Sequence, residues 1–389
     1  MNGKWWKKTA VLCLFMLVLT AHTALAGQGS NGKGAAFPRY KKTVVLTMKD
    51  PNILKKLGYG SNSYQKKHKL SVEEFLDAAI SVARRKASTK VRYKIVVPPG
   101  KYKDQSLSFD IPSNTVLYAK GAVFTYRRGM NPFYGMGKSN ILIQGGTWDF
   151  SKITPGGSTL IPVCNRKNIA FKNVTIKGNC LAHIMEFADV KGLTLSGCRF
   201  SGNQYDETLQ PKEAVELDVA EMSACPPASV YNGKGCHNVL IEKCTFQKVA
   251  RGVGSHNYLT GSVKIENPSF RNVTIRNNTF KNCSGEAIFL MNMKNVTVSG
   301  NKVTSAKRTG IFIENCRNVL AQKNHVSKIT AFTGEREIYG PYKAALAVAA
   351  SYGLVIKNNV LSKTPGGTAC YYYGPKTDQG VTESGNLVK

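Results

Sequence analysis

Asn272-Val273-Thr274-Ile275 is followed 23 residues later by Asn295-Val296-Thr297-Val298, and 23 after that by Asn318-Val319-Leu320-Ala321. Each phrase alternates apolar and polar residues, the period of a strand with one buried face. Working outward, the phrase stands at Asn238-Val239-Leu240-Ile241, Gly192-Leu193-Thr194-Leu195, Asn168-Ile169-Ala170-Phe171 and Asn140-Ile141-Leu142-Ile143. Toward the C-terminus it returns as Gly353-Leu354-Val355-Ile356 and, more weakly, Gly380-Val381. Successive copies lie 28, 24, 46, 34, 23, 23, 35 and 27 residues apart. The minimum is one coil of short strands, and the larger spacings are the same coil with loops inserted. A unit this short cannot bury its own apolar face, so the copies must stack on one another.

The expected fold is therefore all-β: a single right-handed parallel β-helix occupying residues 71–389. Leucine-rich repeats have a similar period, but their fixed leucine spacing and helical segment are missing. A chain of 389 residues is long for one compact domain and ordinary for a solenoid. Asparagine at the turn before each strand fits a ladder in which side-chain amides bond one another along the axis. The glycosylation patterns at Asn173, Asn272 and Asn295 follow from the same arrangement, a turn asparagine two positions before a strand threonine.

Residues 1–26 read as a secretory signal, with Lys4, Lys7 and Lys8, an apolar run from Ala10 to Leu19, and the small-residue site Ala24-Leu25-Ala26. The run is too short for a comfortable membrane span. The expected location is secreted or associated with the cell envelope. Residues 27–70 form an N-terminal segment, partly irregular. The formal charge is +31, or +28 without the three signal lysines, a field that attracts polyanions. With no nucleic-acid motif present, the expected partner is an acidic polysaccharide or cell-envelope glycan. Of ten cysteines, Cys13 leaves with the signal. Cys198, Cys244, Cys283 and Cys316 fall where buried free thiols pack well, and Cys225 and Cys236 are a candidate bridge.

Ahead of the repeats, Ser71 and Glu74 form a capping box, and Phe75, Leu76, Ala79, Ile80 and Ala83 share a helical face. A helix over 72–84 would cover the open end of the first coil. Then come Pro98-Pro99-Gly100-Lys101-Tyr102 at a strand end and Ile111-Pro112-Ser113-Asn114-Thr115-Val116-Leu117. This helix, the Pro-Pro-Gly-x-Tyr strand end and the Ile-x-Ser-Asn-x-x-Leu coil resemble the opening of pectate-lyase-superfamily β-helices. The resemblance runs over roughly residues 70 to 388. It implies the fold, while the superfamily's chemistry spans lyases, hydrolases, epimerases and non-catalytic spikes.

Aligning coils on the phrase also aligns the strand before it. Val215, Val253, Ile288, Ile311 and Leu346 then fall in one inward row, and the residues between them point outward. One outward column holds Glu186, Glu216, Gly254 and Phe289, and the next holds Asp218, His256 and Met291. A third, just before the strand, holds His183, Glu213, Arg251 and Glu286. The insertions at 203–212, 220–236 and 257–270 flank these coils, where a rigid scaffold commonly carries function. Carboxylates one strand spacing apart favour a protonated acid beside an ionised base. Glu186, Glu216, Asp218 and His256 are accordingly the candidate catalytic residues, and His183, Glu213, Arg251 and Glu286 the candidate substrate-binding ones.

Three activities remain open. Glycoside hydrolysis needs a pair of carboxylates, which this set supplies several times over. Polygalacturonases share the fold and use clustered aspartates with a Gly-His-Gly turn. This chain has no Asp-Asp pair, and Gly254-Ser255-His256 is its nearest echo of that turn. β-Elimination would use Arg251 or Lys212 as base, with Ca²⁺ held by Asp218, Glu216 and Glu186. A catalytically silent glycan-binding or adhesion solenoid is the third. No His- or Cys-rich metal spacing is present.

Overall fold

The first residue of each repeat phrase takes the left-handed backbone region. For Asn140, Asn168, Asn238, Asn272, Asn295 and Asn318, φ lies between 55° and 60°, and Gly192, Gly353 and Gly380 are positive as well. Asparagine and glycine are the residues that tolerate this conformation, which is why they alternate there. In this computed structural model, the turn swings the chain from one strand to the next. Repeated coil after coil, it builds a right-handed parallel β-helix. Residues 32–59, 70–103, 109–129, 131–203, 212–227, 229–255, 267–330, 343–374, 377 and 380–389 are described. The signal sequence read at 1–26 lies outside them.

Each coil contributes strands to three columns. The phrase strands pair in parallel along the solenoid: Leu193 with Val239, Val239 with Val273, Val273 with Val296, and onward through Val319 to Leu354. The strand before the phrase forms a second column. There Val215, Val253, Ile288, Ile311 and Leu346 pair coil to coil and are fully buried, as their spacing predicts. The short strands after the phrase form an 11-stranded third column, from Gly100–Lys103 to Leu387–Val388. On it Phe200, Phe246 and Phe280 stack face to face at 5.0 and 4.7 Å.

The asparagine ladder exists, and the described residues form a second, more deeply buried one. At the turn, Asn140 Nδ2 donates to Asn114 Oδ1 and Asn168 Nδ2 to Asn140 Oδ1, both at 2.9 Å. Gly192 interrupts the run, because a Cβ there would sit 2.7 Å from Asn168 Oδ1. The run resumes through Asn238, Asn272, Asn295 and Asn318 at 2.9 to 3.2 Å. A second ladder, inside the solenoid, links Asn278, Asn301, Asn324, Asn359 and Asn386 at 3.0 to 3.1 Å. Each of its first four members also donates to a strand carbonyl, those of Ile241, Ile275, Val298 and Ala321. The backbone N–H groups of Asn278, Asn301, Asn324 and Asn359 donate in turn to the next side chain. Buried amides survive there because both donors and the acceptor are used.

The helix spans Val72–Lys86, begins at the Ser71–Glu74 capping box, and buries Phe75, Leu76, Ala79, Ile80, Val82 and Ala83 in the core of the N-terminal coils. Ahead of it, Lys42–Thr47 pairs in parallel with Val91–Val96 and adds a strand to the solenoid. Residues 32–36 run along the phrase column, where the N–H groups of Gly32 and Ala35 donate to Thr274 and Thr194 hydroxyls. No described helix is long and apolar enough to cross a membrane.

Cys198, Cys244, Cys283 and Cys316 are buried free thiols, as read from their positions. The candidate Cys225–Cys236 bridge does not form. Cys236 Sγ donates to the Phe187 carbonyl at 3.1 Å, while Cys225 packs with Cys164, whose thiol donates to the Ala224 carbonyl at 3.4 Å.

The two ladders differ in burial, and the difference is measurable. Asn301→Ala removes the partner of Ile275 O and of both Asn278 amides, so it should cost on the order of 3 kcal/mol. Asn318→Gly, which restores a residue already used at three equivalent turns, should cost under about 1 kcal/mol. Ile288→Ala should cost about 2–5 kcal/mol through lost burial and the cavity left. Urea midpoints at unchanged m-value test all three. Equal losses for the two asparagines would contradict the assignment.

Candidate functional site

The outward columns align as their spacing implies. Glu186 pairs with Glu216, Glu216 with Gly254, and Gly254 with Phe289. Glu213 pairs with Arg251 in the neighbouring column. Outward from the solenoid does not mean exposed, however. His183, Glu186, Glu213, Glu216, Asp218, Arg251 and Glu286 are each at most 8% exposed. A solvated polar face is therefore excluded. Carboxylates held out of water must be paired or otherwise satisfied.

The cluster splits into two parts. In the first, Arg251 lies between Glu213 and Glu286. It donates from Nη1 to Glu213 Oε1 at 2.5 Å, and from Nε and Nη2 to Glu286 Oε2 at 3.0 and 2.8 Å. Its guanidinium stacks 4.0 Å from the Phe289 ring centroid, and Arg308 reaches Glu286 Oε1 at 3.6 Å. Gly254 makes room for this network: a Cβ there would fall 2.5 Å from Glu213 Oε1. Burial pushes the Arg251 pKa down, but Glu286 and Glu213 more than reverse it, so the guanidinium is permanently charged. In the expected role of Arg251, a grip for a substrate carboxylate or a base, the guanidinium would have to act while already bonded to two carboxylates. Glu213 and Glu286, its counter-ions, are correspondingly tied into the wall.

In the second part, His183, Glu186, Glu216 and Asp218 line a cleft of about 650 Å³. One oxygen each from Glu186, Glu216 and Asp218 lies within 4.8 Å of the others. His183 Nε2 sits 2.6 Å from Glu216 Oε2, and its Nδ1 3.3 Å from Glu213 Oε2. The Glu213 N–H also points at Nδ1, at 3.2 Å, a contact that a neutral ring would accept. The surrounding charge decides between the two states. Burial alone would lower the imidazole pKa, yet Glu216, Glu213 and Glu186 together raise it to about 10. These carboxylates favour the imidazolium, in which form His183 is the local counter-ion of the cleft. The Thr159 hydroxyl donates to Glu186 Oε2 at 2.5 Å, and Asp218 Oδ1 accepts the Val219 N–H at 2.6 Å.

The inserted loop roofs this cleft. Glu221, Ser223, Ala224, Cys225, Pro226 and Pro227 line it from above, and Lys212 and Tyr134 from the sides. Ala220, Ala224 and Cys225 pack on Cys164 and Ala188 in a small apolar cluster that holds the loop down. Of the flanking insertions, 204–211 and 256–266 lie outside the described residues, and so does the candidate His256. Sequence reasoning missed Glu221, Thr159, Tyr134 and Arg308. Only Glu221 carried a local signal, as a carboxylate three residues beyond Asp218. For Ca²⁺, Glu186, Glu216 and Asp218 could supply three oxygens of the six to eight that the ion takes, with His183 Nε2 already against Glu216.

A family profile described as right handed beta helix region matches residues 232–386. No curated protein matches the sequence. Among solved structures, PfbA, a surface adhesin of Streptococcus pneumoniae, is similar at a TM-score of 0.55 and 15% identity, covering 81% of this chain and 86% of that one. A hyperthermoactive exopolygalacturonase from Thermotoga maritima gives 0.38 at 10% identity, over 92% and 96% of the two chains. The tailspike protein of E. coli bacteriophage HK620, in complex with a pentasaccharide, gives 0.49 at 11%, over 95% and 73%. At such identities the likeness is one of fold. Its strand register, its repeats and the matching profile make this chain a right-handed parallel β-helix.

Proposed function

We propose that the protein is an exported carbohydrate-active enzyme that cleaves an acidic polysaccharide by glycoside hydrolysis in the roofed cleft. The observation that carries this reading is the triplet Glu186, Glu216 and Asp218, with oxygens within 4.8 Å of one another in one cleft. Two carboxylates acting on one glycosidic oxygen and its anomeric carbon are what hydrolysis requires. Glu216, 2.6 Å from His183 Nε2, suits the ionised role of base or nucleophile, with Asp218 beside it as the alternative. Glu186, one coil away, then supplies the acid. The charge of +31 supports an acidic glycan, and the signal read at residues 1–26 supports export.

Binding without cleavage is a second reading, favoured by the likeness to the adhesin PfbA. Elimination would use Arg251 while it is bonded to two carboxylates, or Lys212 at the cleft. Incubation with a panel of acidic polysaccharides separates the three. Hydrolysis yields new reducing ends without unsaturated product, elimination yields both, and binding yields neither.

Two outcomes are expected. Glu216→Gln keeps the shape and removes the charge, so activity should fall at least about a hundredfold with the fold intact. Full activity in both Glu216→Gln and Asp218→Asn would refute the assignment. The second concerns His183, whose pKa of about 10 in the folded chain exceeds the usual value of about 6.5. Its stabilisation is complete below the unfolded value and is lost as pH rises through the folded one. Melting temperature should thus decline between pH 7 and 10 more steeply for the native chain than for His183→Gln, and parallel declines would exclude the imidazolium.

A further inference from the structure

The acidic cleft does not end at its carboxylates. Tyr134, Pro162, Pro226 and Pro227 line both it and a second pocket of about 340 Å³, so the two adjoin along a shared wall beneath the inserted loop. The charge reverses along the pair. One end holds the four carboxylates Glu186, Glu216, Asp218 and Glu221 with His183 and Lys212 beside them; the charged residues lining the other are Lys138 and Arg166 alone.

Arg166 is unusual among the arginines of this region. Arg251 is committed to two carboxylates, whereas the described contacts of Arg166 are backbone carbonyls: Nη1 donates to Cys164 O at 2.7 Å and to Asn165 O at 3.4 Å. Its Nε is buried and has no hydrogen-bond partner, and no carboxylate pairs with it or with Lys138 among the described residues. Burial pulls the Arg166 pKa down, as expected for a partly desolvated cation. Between the two ends Tyr134 is 58% exposed, an aromatic surface at the level of the shared wall. Lys138 and Arg166 both line the second pocket, and two neighbouring cations with no carboxylate paired to them among the described residues form a binding site for a carboxylate or other anionic substituent.

We propose that Lys138 and Arg166 form an anion subsite that holds an acidic sugar of the substrate, one step along from the carboxylate triplet. This rests on the reading of the cleft as a glycan site and adds what that reading lacks, a determinant of register. An acidic sugar at Glu186, Glu216 and Asp218 meets like charge, and at Lys138 and Arg166 it meets opposite charge. The polarity of the pair of pockets therefore sets which sugar lies over the acids and in which direction the chain runs. Tyr134 supplies the apolar face for the sugar between.

The test uses the full chain, an oligogalacturonate, and the same oligosaccharide with its carboxylates reduced to alcohols. Calorimetry on Glu216→Gln measures binding without turnover, and the Lys138→Gln/Arg166→Gln double variant is made in that background. The double variant should bind oligogalacturonate at least about tenfold more weakly, with affinity for the reduced sugar and melting temperature unchanged. Raised salt should weaken only the charged ligand. Equal loss for both ligands, or no loss for either, overturns the subsite. The two readings can fail separately. Charge-selective binding that depends on Lys138 and Arg166, without cleavage by the native chain, keeps the subsite and removes hydrolysis. Cleavage of neutral glycans alone keeps hydrolysis and removes the subsite.

Discussion

Stacking at one strand spacing, about 4.8 Å, governs everything else in this protein. Whatever a coil presents at a given position meets its counterpart on the next coil. Apolar residues profit from such repetition, as the row from Val215 to Leu346 does inside the solenoid. Amides profit too, since each carries both donor and acceptor, and two asparagine ladders result. Carboxylates do not, because like charges repel at that distance. A column holding Glu186 above Glu216, beside one holding Glu213, requires opposite charge within reach.

The molecule supplies that charge in two different ways. Arg251 is placed in the same column as Glu213 and closes a buried network with Glu286, Arg308 and Phe289. Such a network contributes less stability than its geometry suggests, since desolvation offsets much of the attraction. Losing one partner alone is costly, so the network behaves as a rigid wall. His183 acts on the other side, joining Glu213 to Glu216 and leaving Glu186 and Asp218 open to the cleft. The wall and the cleft thus share Glu213, and the position of Glu216 depends on a chain of ion pairs that extends two coils away.

Roofing completes the site. The 220–236 insertion folds back so that Cys225 and Ala224 rest on Cys164, sixty residues earlier in the chain at the Ala224 contact. That fold-back narrows the access of water to the carboxylates, which are at most 8% exposed, and so strengthens the charge interactions beneath it. It also shapes the pocket of Lys138 and Arg166, since Pro226 and Pro227 belong to the shared wall.

Neighbour relations along the axis were legible in the sequence because the repeat makes them nearly local. Asn272, Asn295 and Asn318 mark each turn, so the alternation of the preceding strand is enough to assign Glu186 to Glu216 and Glu213 to Arg251. The strand at Lys42–Thr47 was not legible, as it precedes the helix and belongs to no repeat. Nor was the packing of Cys225 and Ala224 on Cys164, which depends on how a non-repeating loop returns. Sequence by itself determined the coil, its register and which residues leave the core. Tertiary structure alone decided which of those outward residues are buried, which charges neutralise one another, and which remain to face a ligand. The reason is physical: register follows from a period, whereas burial and ion pairing follow from what a loop of no fixed period lays on top.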